Sequence, residues 1–254
     1  MPPPYDDMGT AVPLARPPRR VVSLVPSLTE AIAVSRPDVL AGATRWCSHP
    51  ADLDVVRVRG TKNPDREAIA RLRPDLVIAN KEENRELDVT RLRAAGVPVW
   101  VTVVETVPQA LDSLGRLFTE ALGSPVPDWL DTARTLWSGP SPAVTATVAV
   151  PIWRDPWMVV GRSTFTGDLL RRAGLANAFA GHPDRYPQVA REEIDRPEVD
   201  VVLLPDEPYV FTERDGPEAF HHAPTRLVSG RHLTWYGPSL LPAHATLERL
   251  VATL

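Results

Sequence analysis

Arg73-Pro74-Asp75-Leu76-Val77-Ile78-Ala79 and Arg196-Pro197-Glu198-Val199-Asp200-Val201-Val202-Leu203-Leu204 carry the same punctuation. Each time an acidic, helix-like stretch stops at a proline and a short apolar run starts just after it. Proline cannot continue a helix and pushes the residue before it out of the helical region. A bounded apolar run of this length reads as a strand buried on both faces, as in a parallel sheet. The repetition predicts two α/β lobes of similar build. Two lobes leave a cleft between them, a natural place for a small ligand.

Working outward, residues 21–25 read as a buried strand, and Ser27-Leu28-Thr29-Glu30 as a capping box that starts a helix through about residue 34. Strands follow over 39–43, 55–58 and 76–79, and helices over 65–72 and 86–95, the latter stopped at Gly96. An apolar strand over 97–104 is interrupted by Pro98. Val107, Ala110, Leu111, Leu114, Leu117, Phe118, Ala121 and Leu122 form one helical stripe, and residues 128–137 a second helix. Beyond them lie strands over 144–150 and 158–160, a helix over 165–173 ended by Gly174, a helical turn over 192–195, strands over 199–204 and 226–228, and a closing helix over 238–254. The strand–helix alternation predicts an α/β fold with mainly parallel sheets covered on both faces. The expected organisation is a flexible tail over 1–19, an N-terminal lobe over 20–105, a helical connection over 106–140 and a C-terminal lobe over 141–254.

The bulk properties narrow the function. The 254 residues are 43% hydrophobic and 24% charged, ordinary for a globular chain. The formal charge of -4, with no basic stripe, argues against a nucleic-acid partner. The 28 prolines sit mostly at element boundaries and imply stiff loops. The single cysteine, Cys47, rules out a disulfide framework within the chain. No apolar run is long enough to span a membrane. Residues 1–20 are rich in proline and charge and lack an apolar h-region, so the chain as written is expected in the cytoplasm; the alternative is an export signal hidden by processing or by a wrong start site.

Loops at the carboxyl ends of parallel strands line the binding crevice of such folds. Here they carry Trp46, Trp153, Trp157 and Trp235, four of the seven tryptophans. A tryptophan on a loop is either a lid on the core or a platform for a flat ligand, and four at one rim favour binding. His49 can bond its own loop or approach a metal, but no second Cys/His pair has zinc spacing. His221 and His222 read as a solvated pair. Glu82 and Glu83 are either first-turn helix acids, favoured by the macrodipole, or acceptors for a cationic or hydroxylated ligand. Arg154 and Arg231 are further polar handles, beside the aromatic Tyr186 and Tyr236. No nucleophile elbow, phosphate loop or zinc-protease motif is present, which favours binding over turnover.

The chain resembles the helical-backbone metal receptors, the class III periplasmic binding proteins that bind vitamin B12, haem and siderophores. The resemblance runs from about residue 20 to 250. It is carried by Arg20-Val21-Val22-Ser23-Leu24-Val25-Pro26-Ser27-Leu28-Thr29-Glu30, Gly60-Thr61-Lys62-Asn63-Pro64-Asp65, the Arg73–Ala79 motif, Tyr186-Pro187-Gln188-Val189-Ala190-Arg191-Glu192-Glu193 and Ser229-Gly230-Arg231 through Trp235-Tyr236-Gly237. It implies two Rossmann-like lobes joined by a long helix, with the ligand between them. In this chain Pro125 and Pro127 interrupt the joining region. The resemblance also implies a glutamate on each lobe, Glu67 and Glu192, that docks onto arginines of an ABC-transporter permease. The plain alternative is that both are solvated helix acids. Thr61 and Asn80 stand where B12-binding members place aromatics, and His49 where they place a tyrosine. The fold therefore transfers better than the ligand.

The leading expectation is a noncatalytic binding protein, without covalent cofactor, for a corrinoid or other metal chelate of the cobalamin, haem or siderophore class. Its ligand would meet Trp46, His49, Glu82, Glu83, Trp153, Arg154, Tyr186, Arg231, Trp235 and Tyr236. The alternatives are a cytoplasmic carrier or sensor that uses the fold without a transporter, and an enzyme using Glu82 or Glu83 with His49.

Overall fold

A computed structural model of the chain describes residues 2–254. The chain divides into two compact units: Met1–Val104, Gln109–Ala133 and Tyr236–Pro238 in the first, and Glu105–Pro108, Arg134–Trp235 and Ser239–Leu254 in the second.

The first unit is built on five parallel strands in the order Val56–Arg57, Leu40–Ala43, Val21–Ser23, Leu76–Asn80, Val99–Thr102. The apolar run read from the sequence is the strand Leu76–Asn80, with every residue buried. The punctuation before it has a mechanism. Asp65 caps the helix Arg66–Leu72, its Oδ1 accepting from Ala68 N at 2.9 Å. Arg73 closes that helix in the left-handed region, at φ 45°. Pro74 cannot continue it. Asp75 then accepts from the backbone amides of Arg19 and Arg20 (2.8 and 3.0 Å), which draws the start of strand Val21–Ser23 alongside. Val22, Leu24, Ile69, Val77, Val89 and Leu92 fill the core around the sheet.

The second unit holds four parallel strands in the order Leu175–Asn177, Ala146–Ala149, Val201–Pro205, Thr225–Val228. Its repeat of the motif is shorter: one helical turn, Arg191–Ile194, then the fully buried strand Val201–Pro205. Thr164 caps the helix Phe165–Arg172, accepting from Gly167 N at 3.1 Å, and Gly174 follows that helix at φ 83°. The α/β class with parallel sheets is as expected from the alternation of elements.

Four local expectations are corrected. Ser27 does not cap the first helix. That helix, Pro26–Ser35, starts one residue earlier with proline at its first position, where no amide is needed. The segment 229–237 is not all loop. It contains the short helix Gly230–Thr234, because Asp206 Oδ1 accepts from Gly230 N at 2.7 Å. Residues 152–157 are not all loop either, since the strands Pro151–Trp153 and Met158–Val159 pair antiparallel. Finally, the expected tail over 1–19 is docked where it is described. Tyr5 and Ala11 bridge, Gly9 turns at φ 72°, and Asp7 N donates to Val101 O at 3.1 Å. Asp6 is the anchor: it accepts from Met8 N, Thr10 N, Val101 N and Arg93 Nη2. The hairpin thus covers the edge strand Val99–Thr102, an edge that would otherwise offer open amides to another chain.

In the helical region, Val107–Arg116 widens into a π-type turn over Leu117–Ala121, and a separate helix runs over Asp128–Trp137. No helix among the described residues is long and apolar enough to cross a membrane.

Candidate binding site

In the first unit the strand ends present Trp46, His49, Glu82 and Glu83. Trp46 leaves the end of strand Leu40–Ala43 on a tight turn and is 62% exposed. The turn is held from beneath. Cys47 is buried, its sulfur 3.1 Å from Thr29 Oγ1 and 3.2 Å from Thr44 Oγ1. Arg57 donates to the carbonyls of Thr44, Cys47 and Leu53 at 3.2, 2.9 and 3.0 Å. The indole therefore projects from a rigid base. Burial pushes the Cys47 thiol above its ordinary value, against the two threonine hydroxyls, and the charge of Glu83 adds to the rise. A thiol kept protonated is a poor metal ligand. His49 is half-buried, with Nδ1 3.1 Å from Ser48 Oγ.

Glu82 and Glu83 are not first-turn helix acids, for the helix after them begins at Glu86. They sit on a side-chain-built turn: Asn80 Oδ1 accepts from their amides at 2.8 and 3.2 Å, and Asn84 Oδ1 accepts from Asn80 N at 2.8 Å. Asn84 also donates to the carbonyls of Leu24 and Thr61, which joins three strand-end loops. Asn80 is consumed in this scaffold and in a bond to Thr102 Oγ1. Tyr236, contributed to this unit from far along the chain, donates to Glu83 Oε1 at 3.1 Å. Burial first, and the neighbouring charge of Glu83, lift the Tyr236 phenol well above its usual range, while Ser27 bonds it in the opposite sense. Tyr236 thus stays a donor that fixes Glu83. Its ring is buried and serves as support for the rim.

In the second unit Trp153 ends the strand Pro151–Trp153 and is 45% exposed, its ring edge-on to Tyr209 at 5.7 Å. Tyr209, four residues past the buried strand Val201–Pro205, is a neighbour of Trp153 that side-chain type alone does not single out. Trp157 packs inward, stacked on Phe211 at 5.9 Å and tilted against Phe220 at 5.2 Å. It is a lid on the core. Arg154 is committed within the unit: its guanidinium meets Asp215 and Glu218 and lies 5.4 Å from the Trp157 ring. Tyr186 and Arg231 are half-buried. Arg231 stands 5.9 Å from the ring of Trp235, which is itself buried at the end of the short helix. Gly230 is required there, because a Cβ would lie 2.6 Å from Glu207 O.

Glu67 and Glu192 occupy first turns of their helices and point outward, with side chains 92% and 70% exposed. Glu67 has only a loose contact with Arg71, and Glu192 pairs with its neighbour Arg191. His221 and His222 are exposed. Among the described residues no three His, Cys, Asp or Glu side chains are grouped to hold a metal ion.

The chain is 27% identical over 242 residues to the vitamin B12-binding protein of Photorhabdus laumondii, covering 89% of this chain and 85% of that protein. Its fold superposes on the periplasmic vitamin B12 binding protein of Vibrio cholerae with TM-score 0.75 at 20% identity, covering 93% of this chain and 98% of that one. A periplasmic haem-binding protein from Roseiflexus sp. RS-1 gives TM-score 0.73 at 20% identity, over 92% and 99%. The family described as periplasmic binding protein matches residues 21–220. With that match spanning most of its length, the chain belongs to the periplasmic binding protein family, a family of noncatalytic solute-binding proteins.

Proposed function

We propose that the chain captures a metal chelate of the cobalamin, haem or siderophore class, and that it serves as the binding component of an importer. The observation that carries this reading is the pair of exposed indoles, Trp46 and Trp153, each standing on a braced turn or hairpin at a strand end of its own unit. Leaving a tryptophan in water is costly unless a ligand covers it, and a rigid indole covers a flat macrocycle with little entropy lost. Glu83, held by Tyr236, and His49 supply polar contacts beside Trp46, the first to a hydroxyl or amide of the ligand. Arg154 is bound up in ion pairs with Asp215 and Glu218 of its own unit.

The test is an absorbance titration with cobalamin, haem and a ferric siderophore. Saturable binding of one of them is expected, and no binding at tens of micromolar for any would end this reading. Trp153→Ala should weaken the bound chelate about tenfold through lost aromatic contact. Affinity unchanged by that substitution would remove Trp153 from the site.

The exposed glutamates Glu67 and Glu192 fit a role outside ligand binding. Replacing both by alanine is expected to leave chelate affinity unchanged and to reduce permease-dependent uptake several-fold. Unaltered uptake would assign the chain to a cytoplasmic carrier or sensor that works without a permease.

A further inference from the structure

The first unit has a second concave feature, at the amino-terminal end of its sheet. A cavity of about 390 Å³ is lined by Arg16, Pro17, Pro18, Arg19, Arg36, Asp38 and Val39. Its position follows from the chain order. Arg19 precedes the strand Val21–Ser23 and Val39 precedes the strand Leu40–Ala43, whereas Trp46 and Glu83 follow the opposite, carboxyl ends.

Several arginines of the molecule are tied up in ion pairs, among them Arg93 with Asp6, Arg116 with Asp7, Arg172 with Asp168 and Arg154 with Asp215. In the notch, Arg36 meets Asp38 through two bonds of 2.9 and 3.0 Å. Among the described residues Arg16 and Arg19 have no ion-pair partner. The nearby Asp75 is occupied by two backbone amides. The lining thus counts three arginines against one carboxylate, in a chain whose formal charge is -4. Prolines stiffen the segment that carries two of them, so little order has to be gained on binding. Guanidinium forks match the oxygens of phosphate groups in geometry and charge.

We infer that this notch is a binding site for a phosphate-class oxyanion, distinct from the chelate rim of the same unit. Arg16 and Arg19 supply the uncompensated charge, and Arg36 lends a donor at its edge while Asp38 limits affinity. The anion can be a soluble pyrophosphate-like group or the headgroup of an acidic phospholipid, which share this chemistry.

The experiment is calorimetry of the full chain with inorganic phosphate and pyrophosphate, beside co-sedimentation with phosphatidylglycerol and phosphatidylcholine vesicles. Pyrophosphate is expected to bind more tightly than phosphate, and Arg16→Ala with Arg19→Ala to weaken it about tenfold or more. Asp38→Asn, which removes the competing carboxylate, should strengthen binding a few-fold. Chelate titrations and the melting temperature of the double variant should not change, since both side chains lie at the surface. Binding to acidic vesicles that is lost in the double variant assigns the headgroup source; binding of free pyrophosphate that is lost in it assigns the soluble source. No binding in either arm, or binding indifferent to the double variant, overturns the site.

Discussion

Asp6→Ala is expected to destabilise the first unit by about 4 kcal/mol and to release residues 4–12 from the sheet edge. The Asp6 side chain is fully buried and accepts four bonds: from Met8 N at 3.0 Å, Thr10 N at 2.8 Å, Val101 N at 3.2 Å and Arg93 Nη2 at 2.7 Å. Alanine leaves the Val101 amide without that acceptor and Arg93 without its carboxylate partner, with only the bond to Val99 O remaining. An unmet buried donor costs about 1–3 kcal/mol, and a broken buried ion pair about 3–5; Arg93 is partly exposed, so the sum stays below the simple total. Urea unfolding followed by fluorescence measures the loss. Hydrogen exchange adds a local reading, with faster exchange expected at the amides of Val101 and Val103, which the hairpin covers. An unchanged midpoint with unchanged exchange would mean that the hairpin is not held by Asp6.

Asp195→Ala is expected to cost the second unit about 3 kcal/mol. Its buried carboxylate accepts from the amides of His221 and His222, both at 2.8 Å, and Ala223 at 3.0 Å, with Arg191 at 3.6 Å. Burial alone would raise its pKa, but the three amides outweigh that and hold it below the usual carboxylate value. The sign of the pH effect follows. A native pKa depressed below the unfolded one gives stability that is complete above the unfolded value of about 3.9. That stability is lost as pH falls through the native value. Asp195→Asn should therefore lower stability at neutral pH and flatten its fall below about pH 4. An acid limb as steep as that of the native chain would show that Asp195 does not carry this dependence.

Much of this fold is legible in sequence because its signals are local. The strands Leu76–Asn80 and Val201–Pro205 are continuous apolar runs with prolines ahead of them, so their length, burial and parallel pairing all follow from one pattern. The features that escaped such reading depend on partners distant in sequence. Nothing near Asp6 says that Arg93 and Val101 will surround it, so a proline-rich segment read as a tail. The turn after Ser229 read as loop because its helix is capped by Asp206 from another strand end.

The candidate site divides in the same way. The indoles of Trp46 and Trp153 could be placed at strand ends from the order of elements alone. The commitment of Arg154 to Asp215 and Glu218, and the bond from Tyr236 to Glu83, could not, because they join residues 61, 64 and 153 positions apart. Spacing rules reach a few residues; ion-pair geometry at these separations is decided by packing.

The lone thiol beneath Trp46 has a practical corollary. Sealed in and kept uncharged, Cys47 offers neither oxidants nor alkylating reagents a foothold, so copies of this chain have no native thiol through which to cross-link. A single cysteine introduced at the surface would then be the sole reactive handle on the molecule, and a dye or spin label attached there would report from one known address.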